Sequence, residues 1–226
     1  MIQTIKIIGT SHIAKESLFK IEKEINLFNP EIIAVELDRK RFYSMMHKLE
    51  SKLSIKDIRR VGFSGFLFLI IGRFVQKKLG SIVGVDPGAD MKKAIDICKE
   101  KNLQLALIDR DIDITLHRFS KSFSFKEKML IIRDIIFSPF SRQKVNIDIS
   151  KVPDKEFIKT ILLELKKRYP SMYSVLVHER NEFMAKKLFK LYTLNPNKKI
   201  LAVVGAGHEE GLFEELKKLY QSNISF

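Results

Sequence analysis

Ile200-Leu201-Ala202-Val203-Val204-Gly205-Ala206-Gly207-His208 opens with five apolar residues, passes through small residues and arrives at a histidine. The apolar run does not alternate with polar residues, as a strand with one wet face would. It reads as a strand buried on both faces, the environment of a parallel sheet covered by helices. Four other runs share this character: Thr4–Ile8, Ile32–Val35, Ile82–Val85 and Gln104–Ile108. Helical spacings lie between them. Ala14–Phe28 places Leu18, Ile21, Ile25 and Phe28 on one stripe. Asp38–Leu49 follows the second run, and Asp86-Pro87-Gly88 opens a helix through Met91, Ala94, Ile95 and Cys98, with Pro87 as an ordinary start signal. Strands alternating with helices imply right-handed crossovers and a parallel sheet. The predicted fold is therefore α/β, a mainly parallel sheet of about five strands flanked by helices.

From Asp111 to about Leu194 the pattern holds only helices and connections. Phe125–Phe137, Pro153–Tyr169 and Ser171–Tyr192 are the helices, and Ser138–Lys151 is the most loop-like stretch. The region, residues 111–194, reads as a helical insertion before the last strand, within one domain spanning 1–226. The net charge is +14, but Lys and Arg are spread along every predicted helix and no nucleic-acid motif is present, which argues against a sequence-specific nucleic-acid binder. The single cysteine, Cys98, excludes an internal disulfide and fits a reducing compartment. The longest apolar run, Val61 to Gly72, is shorter than the roughly 20 residues of a membrane span. It reads as a buried helix, with a lipid- or partner-facing helix as the other reading.

In parallel sheets of this kind, binding sites lie beyond the carboxyl ends of the strands. The residues after the strands here are polar: Gly9-Thr10-Ser11-His12, Glu36-Leu37-Asp38, Asp86-Pro87-Gly88-Ala89-Asp90, Asp109-Arg110-Asp111 and Gly205-Ala206-Gly207-His208. All would gather on one side. Two of them have the form Gly-x-x-His, in which a glycine turn would deliver an imidazole to the rim, able to bind a metal or act as a base near neutral pH. Plainer roles compete: His12 as a surface turn residue, His208 at a helix start, Asp38 and Asp86 as helix caps. Asp109, Arg110 and Asp111 could form a solvated ion-pair cluster. Glu36 closes a buried strand, where a carboxylate needs a cation or metal. On the helix Ser171–Tyr192, Glu179, Arg180 and Asn181 fall away from the solvated side, so the helix should fold over the rim and bring Arg180 to a carboxylate or an anionic substrate group.

These segments, together with Val35-Glu36-Leu37, Pro87-Gly88-Ala89-Asp90-Met91, Leu107-Ile108-Asp109-Arg110-Asp111, Glu179-Arg180-Asn181 with Met184, and Val203-Val204-Gly205-Ala206-Gly207-His208, resemble the TraB family in content and order, close to its archaeal-type members. Asp90 stands where the resemblance favours Glu. The resemblance extends to the Tiki and PrgY pheromone-shutdown group, associated with metal-dependent peptidase activity, and to the erythromycin-esterase and ChaN-like fold group. It implies that His12, Glu36 and His208 belong to the site, with supporting roles for Asp90, Arg110, Arg180 and Asn181. The resulting expectation is a metal-dependent hydrolase of peptidase type. His12, Glu36 and His208 would hold a divalent metal ion (Zn, Mn or Co) with an open position for water. Asp90 would be general base, and Arg110 or Arg180 would stabilise an oxyanion. Thr10, Ser11 and Asn181 would contact a peptide or small anionic substrate. The alternative is a non-catalytic peptide- or anionic-ligand-binding module. The expected location is cytoplasmic, at a membrane surface through an apolar C-terminal region lacking from this chain, and a homo-oligomer is a further expected partner state.

Overall fold

The computed structural model describes residues 4–10, 15–49, 54, 56–70, 88–137 and 155–224. The strand predicted at Ile82–Val85, the residues Ser11, His12 and Asp86, and the loop 138–151 lie outside them.

Four strands form one parallel sheet in the described residues: β1 (Ile5–Thr10), β2 (Ile32–Val35), β3 (Gln104–Leu107) and β4 (Ile200–Gly205), in the order β1-β4-β2-β3. The last strand is thus central, and the first is its neighbour. Helix α1 (Lys15–Phe28) joins β1 to β2. Then come α2 (Arg39–Met46), α3 (Asp57–Val61), α4 (residues 63–70) and α5 (Ala89–Glu100), which leads to β3. The insertion is helical among its described residues, with α6 (Ile112–Ser122), α7 (Phe125–Phe137), α8 (Lys155–Arg168), α9 (Pro170–Tyr173) and α10 (Glu179–Leu194); α11 (Ala206–Ile224) follows β4 without a break.

The two-sided burial inferred from the apolar runs has a direct cause. Ile33, Val35, Leu201 and Val203 point to one face and pack with Ile21 and Ile25 of α1 and Met91, Ile95 and Cys98 of α5. Ile32, Ala34, Ile200, Ala202 and Val204 point to the other, against Met184, Ala185 and Leu188 of α10 and Leu212 and Leu216 of α11. Period-two alternation is still present, but both sets meet apolar helices, so the sequence needs no polar residue in either register. Cys98 is buried, and burial pushes its thiol up from the usual range.

Two features of the insertion aim side chains at the rim. A π-turn at Ser174–His178 precedes α10, with the Glu179 N–H donating to the Ser174 carbonyl. The widened turn leaves the carbonyls of Val175 and Leu176 able to accept side-chain donors, and both do, from Arg110 (3.3 Å) and Arg180 (3.2 Å). A capping box starts α7: Glu127 accepts from the Ser124 N–H (3.1 Å) and hydroxyl (2.7 Å), while the Ser124 hydroxyl accepts from the Glu127 N–H (3.2 Å). The other Glu127 oxygen accepts from the Ser171 N–H (2.8 Å), tying α7 to the start of the segment that carries Arg180. Among the described residues no helix is long and apolar enough to cross a membrane.

Candidate functional site

The parallel register brings the strand ends to one level. Thr10 of β1 is aligned with Gly205 of β4. Glu36 follows Val35 of β2 and accepts from the Gly205 N–H through Oε2 (2.7 Å). His208 lies in the first turn of α11, directly after β4. Asp109 follows β3 by two residues. The expected folding of the Ser171–Tyr192 segment over this rim is what the structure has, and Arg180 is the residue that arrives.

The Arg180 guanidinium sits among these groups and uses every donor it has. Nη2 donates to Glu36 Oε1 and to Asp109 Oδ2 (2.7 Å). Nε donates to Asp109 Oδ1 (3.1 Å). Nη1 donates to the Leu176 carbonyl (3.2 Å) and to His208 Nε2 (2.9 Å). A guanidinium has five N–H groups, and five acceptors are met. Its role in the structure is therefore to hold the carboxylates of Glu36 and Asp109; no N–H is left over for an anionic substrate group.

The contact with Arg180 also fixes the histidine. A guanidinium only donates, so His208 Nε2 accepts, and the ring proton is on Nδ1. Nδ1 donates to Asn181 Oδ1 at 2.6 Å. Asn181 is 3% exposed and His208 7%, so a neutral imidazole is locked in one tautomer away from bulk water. His208 Nε2 is 3.5 Å from Glu36 Oε1.

Behind this group lies a second row of charge. Asp109 also accepts from Arg41 Nη2, and Arg41 Nε donates to Asp38 Oδ2 (2.6 Å). Asp38 is the cap of α2, as its plainer reading had it, accepting from the Lys40 and Arg41 N–H groups (2.8 and 3.0 Å). Burial pushes the Asp109 carboxyl upward, but Arg180, and beyond it Arg41, outweigh burial and hold it below the usual carboxylate range. Burial likewise opposes the charge on Arg180, and Glu36 and Asp109 more than offset it.

The other predicted residues fall nearby but separately. Asp90, 1% exposed in the first turn of α5, accepts from the Thr10 hydroxyl and from the Met91 N–H (2.8 Å). Thr10 Oγ1 also lies 3.1 Å from the Val204 carbonyl, which shares the same proton, so this pair ties α5 to the β1–β4 seam. Arg110 points into the insertion: Nε donates to Thr115 Oγ1 (3.1 Å), Nη1 to Glu179 Oε2 (3.0 Å) and Nη2 to the Val175 carbonyl (3.3 Å). Glu179 is shared with Arg118 (2.6 Å), whose hydrogen bond is the largest cause of its lowered pKa. Glu179 and Arg110 thus brace the insertion, while Arg180, the next residue, serves the rim.

Glycine has a different use here from the sharp turn expected of Gly-x-x-His. Gly9 does not take positive φ. A Cβ on Gly9 would stand 2.9 Å from Ala206 Cα and 2.6 Å from Glu209 Oε2, so the glycine admits the start of α11 against β1. Gly211, one turn beyond His208, does the same for Asn181, whose Nδ2 a Cβ would meet at 2.2 Å.

Over residues 2–222 the sequence matches the model of the TraB/PrgY/gumN family. The chain belongs to that family. It is 44% identical over 225 residues to an uncharacterized protein of Methanocaldococcus jannaschii, a match covering 97% of this chain and 55% of that protein. It is 23% identical over 233 residues to the human TraB domain-containing protein, covering 91% of this chain and 61% of that one. The chain thus spans a little over half the length of these relatives. Among solved structures, a mutant erythromycin esterase in its open conformation is similar over 89% of this chain and 60% of that one, at 14% identity and a TM-score of 0.35, too slight a likeness to build on.

The metal set expected of this TraB-family domain can be tested on its described members. The 3.5 Å between His208 Nε2 and Glu36 Oε1 is close to the spacing of two ligands on one tetrahedral ion with bonds of about 2.0–2.1 Å. Both atoms, however, already accept from Arg180. Among the described residues no group of three or more His, Cys, Asp or Glu is placed to hold a metal. With Arg180 where it is, these residues do not fit a divalent ion. Sequence reasoning missed Asp109 and Arg41 as members of the site. The signals were present: Asp109 at a strand end, and Arg41 three residues after a capping Asp38.

Proposed function

We propose that the domain is a hydrolase acting on a carbonyl group, with peptides as the substrate class, and that His208 is its base. The observation that carries the reading is the orientation of His208. A buried neutral imidazole has its Nδ1–H fixed by Asn181 at 2.6 Å and its Nε2 turned toward the Glu36 and Arg180 side of the rim. A base oriented through its far nitrogen by a third group is the arrangement that general-base and nucleophilic hydrolases share. Asn181 would keep the tautomer, and Nε2 would take a proton from water or from the attacking group once Arg180 Nη1 moves off it. Glu36 would stabilise the imidazolium so formed, from 3.5 Å.

A cavity of about 810 Å³ reaches the back of the site through Asn181 and Gly207, without His208, Glu36 or Arg180 in its lining, and its size supports a substrate larger than a single amino acid. It runs between α8 and α11, lined among others by Ile158, Leu162, Tyr173 and Phe213, and it reaches Asn181 and Gly207 beside His208. Its walls mix apolar side chains with Lys and Glu, which suits peptide side chains.

The test is turnover of a mixed peptide library, read by mass spectrometry, alongside a panel of simple esters, for the wild-type chain and His208→Ala, each with and without chelator. Cleavage lost in His208→Ala supports the reading, and the chelator arm reports on the divalent metal that the family resemblance implies. Retained cleavage in His208→Ala overturns it. Peptide binding without turnover would favour the binding module.

A further inference from the structure

The guanidinium of Arg180 stands where a metal ion of this site would have to stand. Its Nη1 and Nη2 meet the two atoms, His208 Nε2 and Glu36 Oε1, that lie at ligand spacing from each other. Its charge is balanced by two buried carboxylates, Glu36 and Asp109, and the histidine beside it is already neutral with its proton on Nδ1. That is also the protonation state a metal ligand needs, with the outer N–H given to a fixed acceptor. His208 Nε2 has a single lone pair, so the guanidinium and a divalent ion exclude each other there, and repulsion between like charges keeps both from sharing Glu36 Oε1.

We propose that Arg180 is the resident cation of the site and competes with divalent ions for Glu36 and His208, so that the affinity of the domain for divalent metal is set by this one side chain. The inference concerns the site read above as hydrolytic, but it is tested by cation binding and can fail while that reading stands. Binding of zinc, and separately of manganese, is measured by calorimetry and by metal content after gel filtration. The proteins are the full wild-type chain, Arg180→Gln and the double variant Arg180→Gln/His208→Ala. Arg180→Gln is expected to bind one ion per chain at least tenfold more tightly than wild type, and the double variant is expected to lose that gain. Equal or weaker binding in Arg180→Gln overturns the proposal, and so does a gain that survives His208→Ala. Arg180→Gln leaves Glu36 and Asp109 short of a cation and could fail to fold. Arg180→Gln/Asp109→Asn removes one carboxylate with the guanidinium, keeps Glu36 and His208, and is read against the same two outcomes.

Discussion

Gly211→Ala makes a demanding perturbation of the site because elementary helix chemistry predicts the opposite of what the structure does. Position 211 lies inside α11, and replacing a helical glycine by alanine ordinarily stabilises a helix by about 1 kcal/mol. Here the added Cβ would fall 2.2 Å from Asn181 Nδ2 and 3.2 Å from its Cγ. To reach ordinary contact of about 3.4 Å, the Asn181 amide must retreat by about 1.2 Å. That is enough to break its 2.6 Å bond with His208 Nδ1. Leaving two buried polar groups without each other costs about 1–3 kcal/mol, so the net effect is a loss of about 0–2 kcal/mol where a gain would be expected. Arg180 still holds Nε2 as an acceptor, so the proton stays on Nδ1 but loses its fixed partner. NMR of labelled His208 should show an Nδ1–H signal that is shifted downfield and slow to exchange in wild type, and moved upfield and faster to exchange in Gly211→Ala. Under the hydrolase reading, turnover should fall by about a hundredfold, within the range ascribed to general-base catalysis. Denaturant unfolding completes the test. A Gly211→Ala protein that is about 1 kcal/mol more stable and keeps the wild-type Nδ1–H signal would refute the placement of Asn181.

Four further substitutions separate buried from exposed charge. Asp109→Asn removes the anion between Arg41 and Arg180 and should cost about 3–5 kcal/mol in urea unfolding, because the buried guanidinium keeps only Glu36 as a charged partner; a cost under about 1 kcal/mol would contradict the network. Arg118 is half exposed, so Arg118→Ala should cost no more than about 1 kcal/mol, whereas Arg110→Ala, which strips the buried partner from Glu179, should cost several times as much. Equal losses by thermal unfolding would sink that contrast. Glu127→Gln should lower stability near neutral pH by about 1–3 kcal/mol. Burial raises the Glu127 pKa, but the Ser124 and Ser171 donors outweigh burial, so its folded-state pKa is depressed. Its contribution is therefore full above the unfolded value near 4.3 and is lost as pH falls through the folded value. The gap between wild type and Glu127→Gln in the melting temperature should close in strong acid, and a gap that stays constant there would show that the carboxylate is not what matters.

The fold was legible because β2 and β4 are apolar on both registers, a pattern that a helix-covered parallel sheet accepts. β1 and β4, both of which lead into Gly-x-x-His, are neighbours and pair in register. The function of the glycines was not legible. Gly9 and Gly211 are dictated by atoms of Ala206, Glu209 and Asn181, and sequence spacing does not report a close approach between elements. The same limit separates Glu179 from Arg180. Both were readable as inward-facing charges, but the π-turn before them and the partners in α6 and β3 decide that one braces the insertion while the other reaches the rim.

A buried polar cluster whose members satisfy one another has a consequence for access. Side-chain exposure is 6% for Glu36, 9% for His208 and 1% for Asp109, while Arg180 reaches 15%. Desolvated charges are stable only while paired, so no single anion of this cluster can turn toward a ligand without leaving a guanidinium donor unmet. Arg180 is different. Its movement would release Nε2 of His208 and Oε1 of Glu36 together, the two atoms on which either a proton transfer or a cation would depend. Asp109 would keep Arg41 as a charged partner, while Glu36 would keep the Gly205 N–H and lose the guanidinium, so the cost of the movement falls on Glu36. The least costly opening of the site therefore runs through the one residue that also closes it, and the second row formed by Arg41 and Asp38 is what makes that opening affordable in electrostatic terms.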